Sequence, residues 1–129
     1  MAVALSKGAS RALPLQVSGA FHSPLMQPAA EGLSRVIAGL ELKTPSIPII
    51  ANTTAGPLTN AQSVKVELLQ QLTSTVQWQR SVEYMIQSGV RTFIEIGPGK
   101  VLTGLIKRIN KEVKLLNIGE TSELKNLAG

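Results

Sequence analysis

Apolar residues recur at helical spacing over several stretches of the chain. Between residues 24 and 40 they fall on one face at intervals of three and four, which is typical of an amphipathic helix. That face holds Leu25, Ala29, Leu33, Val36, Ile37 and Leu40. The other predicted helices span residues 61–72, 77–88 and 101–109, with a helix end at 2–7 and a last helical piece at 121–127.

Short apolar runs bounded by turn residues separate these helices. The runs at 45–54 and 113–119 and the first part of 91–100 predict strands, the first of them buried. The segment "RALPLQV" (11–17) alternates apolar positions and contains a proline, so it predicts an edge or terminal strand. Strands that alternate with helices indicate an α/β fold with a parallel sheet.

The composition is that of one globular domain, with 43% hydrophobic and 16% charged residues over 129 positions. Aromatic residues make up only 3%, so leucine, isoleucine, valine and alanine must fill the core. No apolar run approaches the ~20 residues needed to span a bilayer. The first ten residues also lack an export leader. We therefore expect a cytoplasmic protein without membrane contact.

The charge balance favours an acidic partner, because thirteen basic residues against eight acidic ones give a net charge of +5. Nucleic acid is disfavoured, since the basic residues are scattered outside "KRINKEVK" (107–114) and no aromatic residues are interleaved for base stacking. The chain has no cysteine, which excludes disulfides, thiolate catalysis and sulfur-based zinc sites. We predict no metal site.

The one histidine, His22, lies in "SGAFHSPLM" just before a predicted helix. Ser23 suits the N-cap of that helix, and Pro24 suits its first position. A helix N-terminus disfavours added positive charge, so a neutral imidazole here could accept a proton as a general base. A plain surface histidine is the alternative, because the chain has neither a G-x-S-x-G nucleophile motif nor an aspartate to orient the ring.

The segment "GPGK" follows a predicted strand and precedes a helix, as phosphate-binding loops do. The spacing of a Walker loop is missing, and Lys100 is followed by Val101 instead of serine or threonine. We interpret the segment as a structural turn between strand and helix.

Three segments together resemble the carboxy-terminal portion of bacterial-type malonyl-CoA:acyl carrier protein transacylase. They are "RALPLQVSGAFHSPLMQPAA" (11–30), "LLQQLTSTVQWQRSVEYMIQSGV" (68–90) and "FIEIGPGKVLTGLIKRI" (93–109), and their order and spacing also agree with the family. The resemblance implies that residues 18–129 form the distal part of an α/β-hydrolase-like acyltransferase core with a parallel sheet. It implies that residues 1–17 end an inserted ferredoxin-like subdomain.

The resemblance also implies a serine–histidine pair that works by a ping-pong route. Serine takes malonyl from malonyl-CoA and passes it to the phosphopantetheine thiol of acyl carrier protein, while histidine shuttles the proton. His22 matches the catalytic histidine, and Gln71 matches a glutamine whose backbone carbonyl orients it. Phe21 matches a bulky residue that accompanies preference for malonyl over α-branched units. No cofactor is implied beyond the substrate and the carrier-bound phosphopantetheine.

Other family features are absent from this sequence: a glycine-glutamine loop, the GHSxG serine and an arginine for the malonyl carboxylate. We therefore expect the chain to be inactive alone, to require the amino-terminal half of the same enzyme, and to self-associate through exposed apolar surface. We interpret Lys107, Arg108, Lys111 and Lys114 as a solvated helix end, with a contribution to docking the acidic carrier protein as the alternative. The implied compartment is the cytoplasm or a plastid stroma.

Two other functions stay open. The first is an acyltransferase module of a polyketide synthase, which "AFHSPLM" alone would allow, whereas "EIGPGKVLTGL" favours the stand-alone enzyme. The second is a non-catalytic domain that binds an acidic carrier protein through its basic surface. Replacement of His22 by alanine would separate the enzymes from the binding domain.

Overall fold

Helices and short strands alternate in the computed structural model, which describes residues 1–14 and 16–127. The α-helices among these residues are α1 (Ala2–Ser6), α2 (Gln27–Ala38), α3 (Ala61–Gln70), α4 (Trp78–Gln87) and α5 (Val101–Ile109). The strands are β1 (Ile49–Ile50), β2 (Pro57–Leu58), β3 (Thr92–Ile96) and β4 (Lys114–Ile118), and 3₁₀ turns occupy Pro24–Met26 and Thr121–Leu127. None of these described helices is long and apolar enough to cross a membrane.

Strands β3 and β4 form a parallel pair, with Thr92 opposite Lys114 and Ile96 opposite Ile118. Helix α5 connects them, which is the crossover that parallel strands require. Strands β1 and β2 form a separate antiparallel pair. The predicted α/β class with a parallel sheet is therefore confirmed.

The main core lies between this β–α–β unit and α4. Val82 of α4, Ile106 of α5 and Val113 are buried together. Partly buried apolar side chains of both helices and both strands pack around them, among them Trp78 of α4 and Phe93 of β3. Burial of aliphatic side chains from several elements is the main stabilising contribution in such a layer.

The prediction of a strand at 11–17 is wrong for the described residues, which form no strand there. Leu15, in the same prediction, lies outside the described residues. A strand exists through hydrogen bonds to a neighbour, and alternation of apolar residues alone does not supply one. The predicted buried strand at 45–54 shrinks to the two residues of β1, which pairs with β2, and Ile49 is 46% exposed.

The first amphipathic helix begins later than predicted. Residues Pro24–Met26 form a 3₁₀ turn, and α2 starts only at Gln27. A 3₁₀ turn has three residues per turn instead of 3.6, so it shifts the phase of the helical face. Most of the predicted apolar face is not covered within this chain: Leu25, Val36 and Leu40 are exposed, whereas Ile37 is buried.

In the glycine-rich turn after β3, a carboxylate of the chain itself occupies the position that an anion could take at the start of α5. Gly97 and Gly99 adopt φ of +129° and +93°, which side chains disfavour. The Glu95 carboxylate accepts hydrogen bonds from the backbone N–H groups of Leu102 and Thr103, at 3.0 and 2.8 Å. The first N–H groups of α5 thus already have an anionic partner, which supports a structural turn.

Replacement of Glu95 by glutamine is expected to flatten the acid dependence of stability. The N–H of Thr103 is the main cause that holds the pKa of Glu95 below its ordinary value. Desolvation opposes it in part, and the N–H of Leu102 lowers the pKa further. A lowered folded-state pKa contributes stability above the unfolded-state pKa, and this stability is lost as pH falls through the lowered value. Melting temperatures of the two proteins should therefore converge on acidification.

The matched control for this measurement is Glu112→Gln, because Glu112 is an exposed glutamate. Its melting curve should follow that of the unmodified chain at every pH. An acid dependence in Glu95→Gln as steep as in the unmodified chain would contradict the capping role of Glu95.

Candidate active site

His22 is held against the carboxyl end of α3 by two hydrogen bonds. Its backbone N–H donates to the carbonyl of Leu72 at 2.8 Å, and its Nδ1 lies 2.8 Å from the carbonyl oxygen of Gln71. A carbonyl only accepts, so the proton of the neutral ring must reside on Nδ1. This leaves Nε2 unprotonated on an exposed side chain, as a general base requires.

The carbonyls that hold His22 are available because α3 ends there. The last helical residue is Gln70, with Gln71 as C-cap, and the final carbonyls of a helix have no donor within it. They also carry the partial negative charge of the helix dipole. The ring of His22 is thus oriented by the end of a helix and not by an aspartate.

The backbone of His22 is strained, with φ of +61°. A non-glycine residue in this left-handed region costs roughly 1–3 kcal/mol and persists only where its surroundings determine it. The hydrogen bonds to Gln71 and Leu72 are those determinants. Strained residues of this kind concentrate at functional sites, and the sequence contained no sign of this one.

Phe21 is 51% exposed, and its ring lies over Gly19. A Cβ placed on Gly19 would come within 3.1 Å of Cε2 of the ring, so glycine leaves the space in which the ring rests. The structure thus brings Gln71 to His22, while Phe21 packs on its own loop.

The prediction that Ser23 caps the following helix with its side chain is wrong. Its hydroxyl instead donates to the carbonyl of Ala20 at 2.7 Å and closes the loop that carries His22. The turn around His22 places this carbonyl within hydrogen-bond distance of the hydroxyl. Ser23 is therefore a residue of the His22 loop, and its hydroxyl hydrogen is donated within that loop.

Residues that the sequence reasoning missed lie behind Gln71. The side-chain Oε1 of Gln71 accepts a hydrogen bond from Nδ2 of Asn52 at 3.3 Å. The carboxylate of Glu67, one turn earlier on α3, is buried beneath the loop of Asn52 and Thr53. A glutamate one turn before Gln71 in the predicted helix 61–72 is the signal that could have revealed this network.

The basic cluster (Lys107, Arg108, Lys111 and Lys114) lies around the carboxyl end of α5, and all four residues are exposed. Cations at a helix C-terminus are stabilised by the helix dipole, which gives Lys107 and Arg108 a structural role. Within residues 1–14 and 16–127, no three metal-ligating His, Cys, Asp or Glu side chains lie close enough together to form a metal site.

Comparison of sequences shows clear relatives, although no protein-family model matches the chain. Malonyl CoA-acyl carrier protein transacylase of Bacillus subtilis (strain 168) is 46% identical over 124 residues, which cover 95% of this chain and 39% of that protein. The same enzyme of Staphylococcus aureus (strain COL) is 45% identical over 120 residues. The chain spans about two-fifths of the length of these curated relatives.

Solved structures give the same result. An acyl carrier protein S-malonyltransferase from Vibrio cholerae aligns with a TM-score of 0.89 and 42% identity, over 98% of this chain and 41% of that one. A malonyl-transacylase solved in complex with its type II PKS acyl-carrier protein aligns with a TM-score of 0.88 and 38% identity, over 95% and 40% of the two chains. The arrangement of elements described above is therefore that of part of these enzymes.

Proposed function

We propose that this chain, a homologue of the malonyl CoA-acyl carrier protein transacylases, supplies the histidine of a Ser/His pair. In this proposal the pair moves malonyl from CoA to acyl carrier protein. The similarity over 95% of the chain supports the family. The observation that carries the role of His22 is the 2.8 Å contact between its Nδ1 and the Gln71 carbonyl. That contact leaves Nε2 as the proton acceptor.

In the proposed reaction, Nε2 of His22 removes the proton of a serine hydroxyl as its oxygen attacks the malonyl thioester. The thioester C–S bond breaks, and the imidazolium returns the proton to the CoA sulfur. The second half runs in reverse, with the phosphopantetheine thiol of the carrier protein as the nucleophile. The Gln71 carbonyl accepts Nδ1–H in both protonation states, so the ring keeps its orientation while Nε2 takes up and returns the proton.

We propose that the serine, its oxyanion donors and the malonyl-binding arginine lie in a part of the enzyme outside this chain. The absence of a G-x-S-x-G motif from the sequence supports this division. The chain alone is then inactive, and it needs the amino-terminal half of the same enzyme. Neither a metal nor a cofactor takes part in this scheme, and the cytoplasm is its compartment.

An uncovered face of the parallel sheet also supports a missing half. Ile94 and Ile96, at alternate positions of β3, are 44% and 77% exposed. Parallel sheets are normally covered on both faces. We propose that the amino-terminal half of the enzyme covers these residues, and that self-association covers them in its absence.

The finer division of the fold is part of the same proposal. Residues 18–129 form the distal part of an α/β-hydrolase-like core, and residues 1–17 end a ferredoxin-like subdomain. Support comes from the parallel pair β3–β4 with its crossover helix and from the separate short helix α1. Leu15, Ala128 and Gly129 lie outside the described residues.

Phe21, beside His22, is the proposed barrier to α-branched malonyl units.

The chain alone should form no covalent adduct with malonyl-CoA, because it contributes a base without its nucleophile. Intact mass spectrometry after incubation is the measurement. A chimera in which this chain replaces the matching 124 residues of the Bacillus subtilis relative should instead form a malonyl-serine adduct and transfer it to acyl carrier protein. An adduct on the isolated chain, or a folded chimera without transfer, would contradict the proposal.

A further inference from the structure

Glu67 is a charged residue that the proposed reaction leaves unexplained. Its side chain is only 7% exposed, on the face of α3 that packs inward. Burial of a carboxylate is costly unless hydrogen bonds replace its water. The hydrogen bonds of Glu67 must therefore compensate for the water that its carboxylate loses.

The carboxylate of Glu67 is satisfied by one short loop that follows β1. Its Oε1 accepts the backbone N–H groups of Asn52 and Thr53, at 2.8 and 3.1 Å. Its Oε2 accepts the hydroxyl of Thr53. Three donors that converge on an ionised acceptor form charge-assisted hydrogen bonds, which are stronger and more directional than neutral ones.

The loop of Asn52 and Thr53 also forms hydrogen bonds at both ends of the segment that joins α3 to α4. This segment begins at Gln71, whose carbonyl contacts Nδ1 of His22. On one side, Nδ2 of Asn52 donates to Oε1 of Gln71 at 3.3 Å. On the other side, the carbonyl of Asn52 accepts the N–H of Gln77 at 2.7 Å, where α4 begins. Glu67 also accepts the N–H of Gln71 through its own carbonyl, at 2.9 Å.

We propose that Glu67 is a positioning residue for His22: its buried carboxylate fixes the loop of Asn52 and Thr53, and this loop fixes the Gln71 carbonyl that receives Nδ1–H. The residue touches no reacting atom and acts through Asn52 and Gln71. Its consequence for malonyl transfer rests on the proposed function, whereas its consequence for the His22 ring does not.

The imidazole of His22 gives a direct measurement, because it is the only histidine in the chain. Two-bond ¹H–¹⁵N correlation spectra of the full chain, at a pH where the ring is neutral, report the ratio of the Nδ1–H and Nε2–H tautomers. Glu67→Gln keeps the volume but replaces an acceptor oxygen with an NH₂ donor that faces other donors. We expect the ratio to fall about fivefold, as when one intramolecular hydrogen bond is weakened.

The matched control is Glu83→Gln on α4, which makes the same change at a carboxylate that accepts only an exposed hydrogen bond from Gln79. The tautomer ratio should not change in this variant. Because it does not depend on acyl transfer, the ratio can be interpreted even if the proposed reaction is wrong.

Asn52→Ala keeps the experiment decisive if Glu67→Gln does not fold. Alanine retains the backbone N–H that Glu67 accepts but removes the amide that contacts Gln71. The ratio should again fall, by less than in Glu67→Gln, because the 3.3 Å bond is the weaker part of the link. A native tautomer ratio in folded Glu67→Gln, or in Asn52→Ala where the first variant does not fold, would overturn the proposal.

Discussion

His22→Ala in the Bacillus subtilis chimera is expected to lower kcat/KM for malonyl transfer to acyl carrier protein by roughly 10³- to 10⁴-fold, the upper part of the range for a general base. Without an acceptor at Nε2, the serine hydroxyl must attack while it is still protonated. The leaving CoA sulfur also loses its proton donor. Both half-reactions therefore suffer, and the loss should appear in kcat more than in KM.

The binding of acyl carrier protein distinguishes the loss of the general base from a general loss of structure. Acyl carrier protein should bind the His22→Ala chimera as it binds the unmodified chimera, because the imidazole moves a proton and holds no partner. Gln27→Ala, at the exposed start of α2, is the control substitution and should leave the rate within a fewfold. Equal transfer rates in the His22→Ala and unmodified chimeras would favour a non-catalytic carrier-binding domain.

The helices and strands that pair with each other inside this chain were predictable from its sequence. Helix α5 was predicted at its observed bounds, and β3 and β4 were predicted to within about one or two residues. Their apolar periodicities agree with the structure because α5 packs on the two strands that it connects. The segment 11–17 also alternates apolar positions, but its described residues pair with no strand. Alternation alone does not show whether a neighbouring strand is present.

The site was predictable in part. The resemblance named His22 and Gln71, which are 49 positions apart and in contact through Nδ1. Helical spacing places Glu67 and Gln71 on the same face as Val64, one and two turns along. The prediction of a helix at 61–72 assigned no role to Glu67. The positive φ of His22 could not be predicted, because it depends on hydrogen bonds from a distant helix end.

Ile106→Ala is expected to lower the free energy of unfolding by about 3 kcal/mol, within the range for an isoleucine truncated in a core. The side chain is 4% exposed and packs with Val82 and Val113 in the main cluster. Alanine loses the apolar burial and leaves a cavity that rigid neighbours fill only in part. For a domain with a total stability of about 5–15 kcal/mol, this is a large fraction. Urea unfolding followed by circular dichroism is the measurement.

Leu102→Ala on the same helix is the matched control, because Leu102 is 41% exposed and should cost less than about 1 kcal/mol. Similar losses in the two variants would contradict the core between α4, α5 and the sheet. The folded fraction of Ile106→Ala should keep the native tautomer ratio at His22, since none of the residues of that cluster takes part in the hydrogen bonds of Asn52, Glu67 and Gln71. A changed ratio would mean that the core and the His22 site respond as one unit.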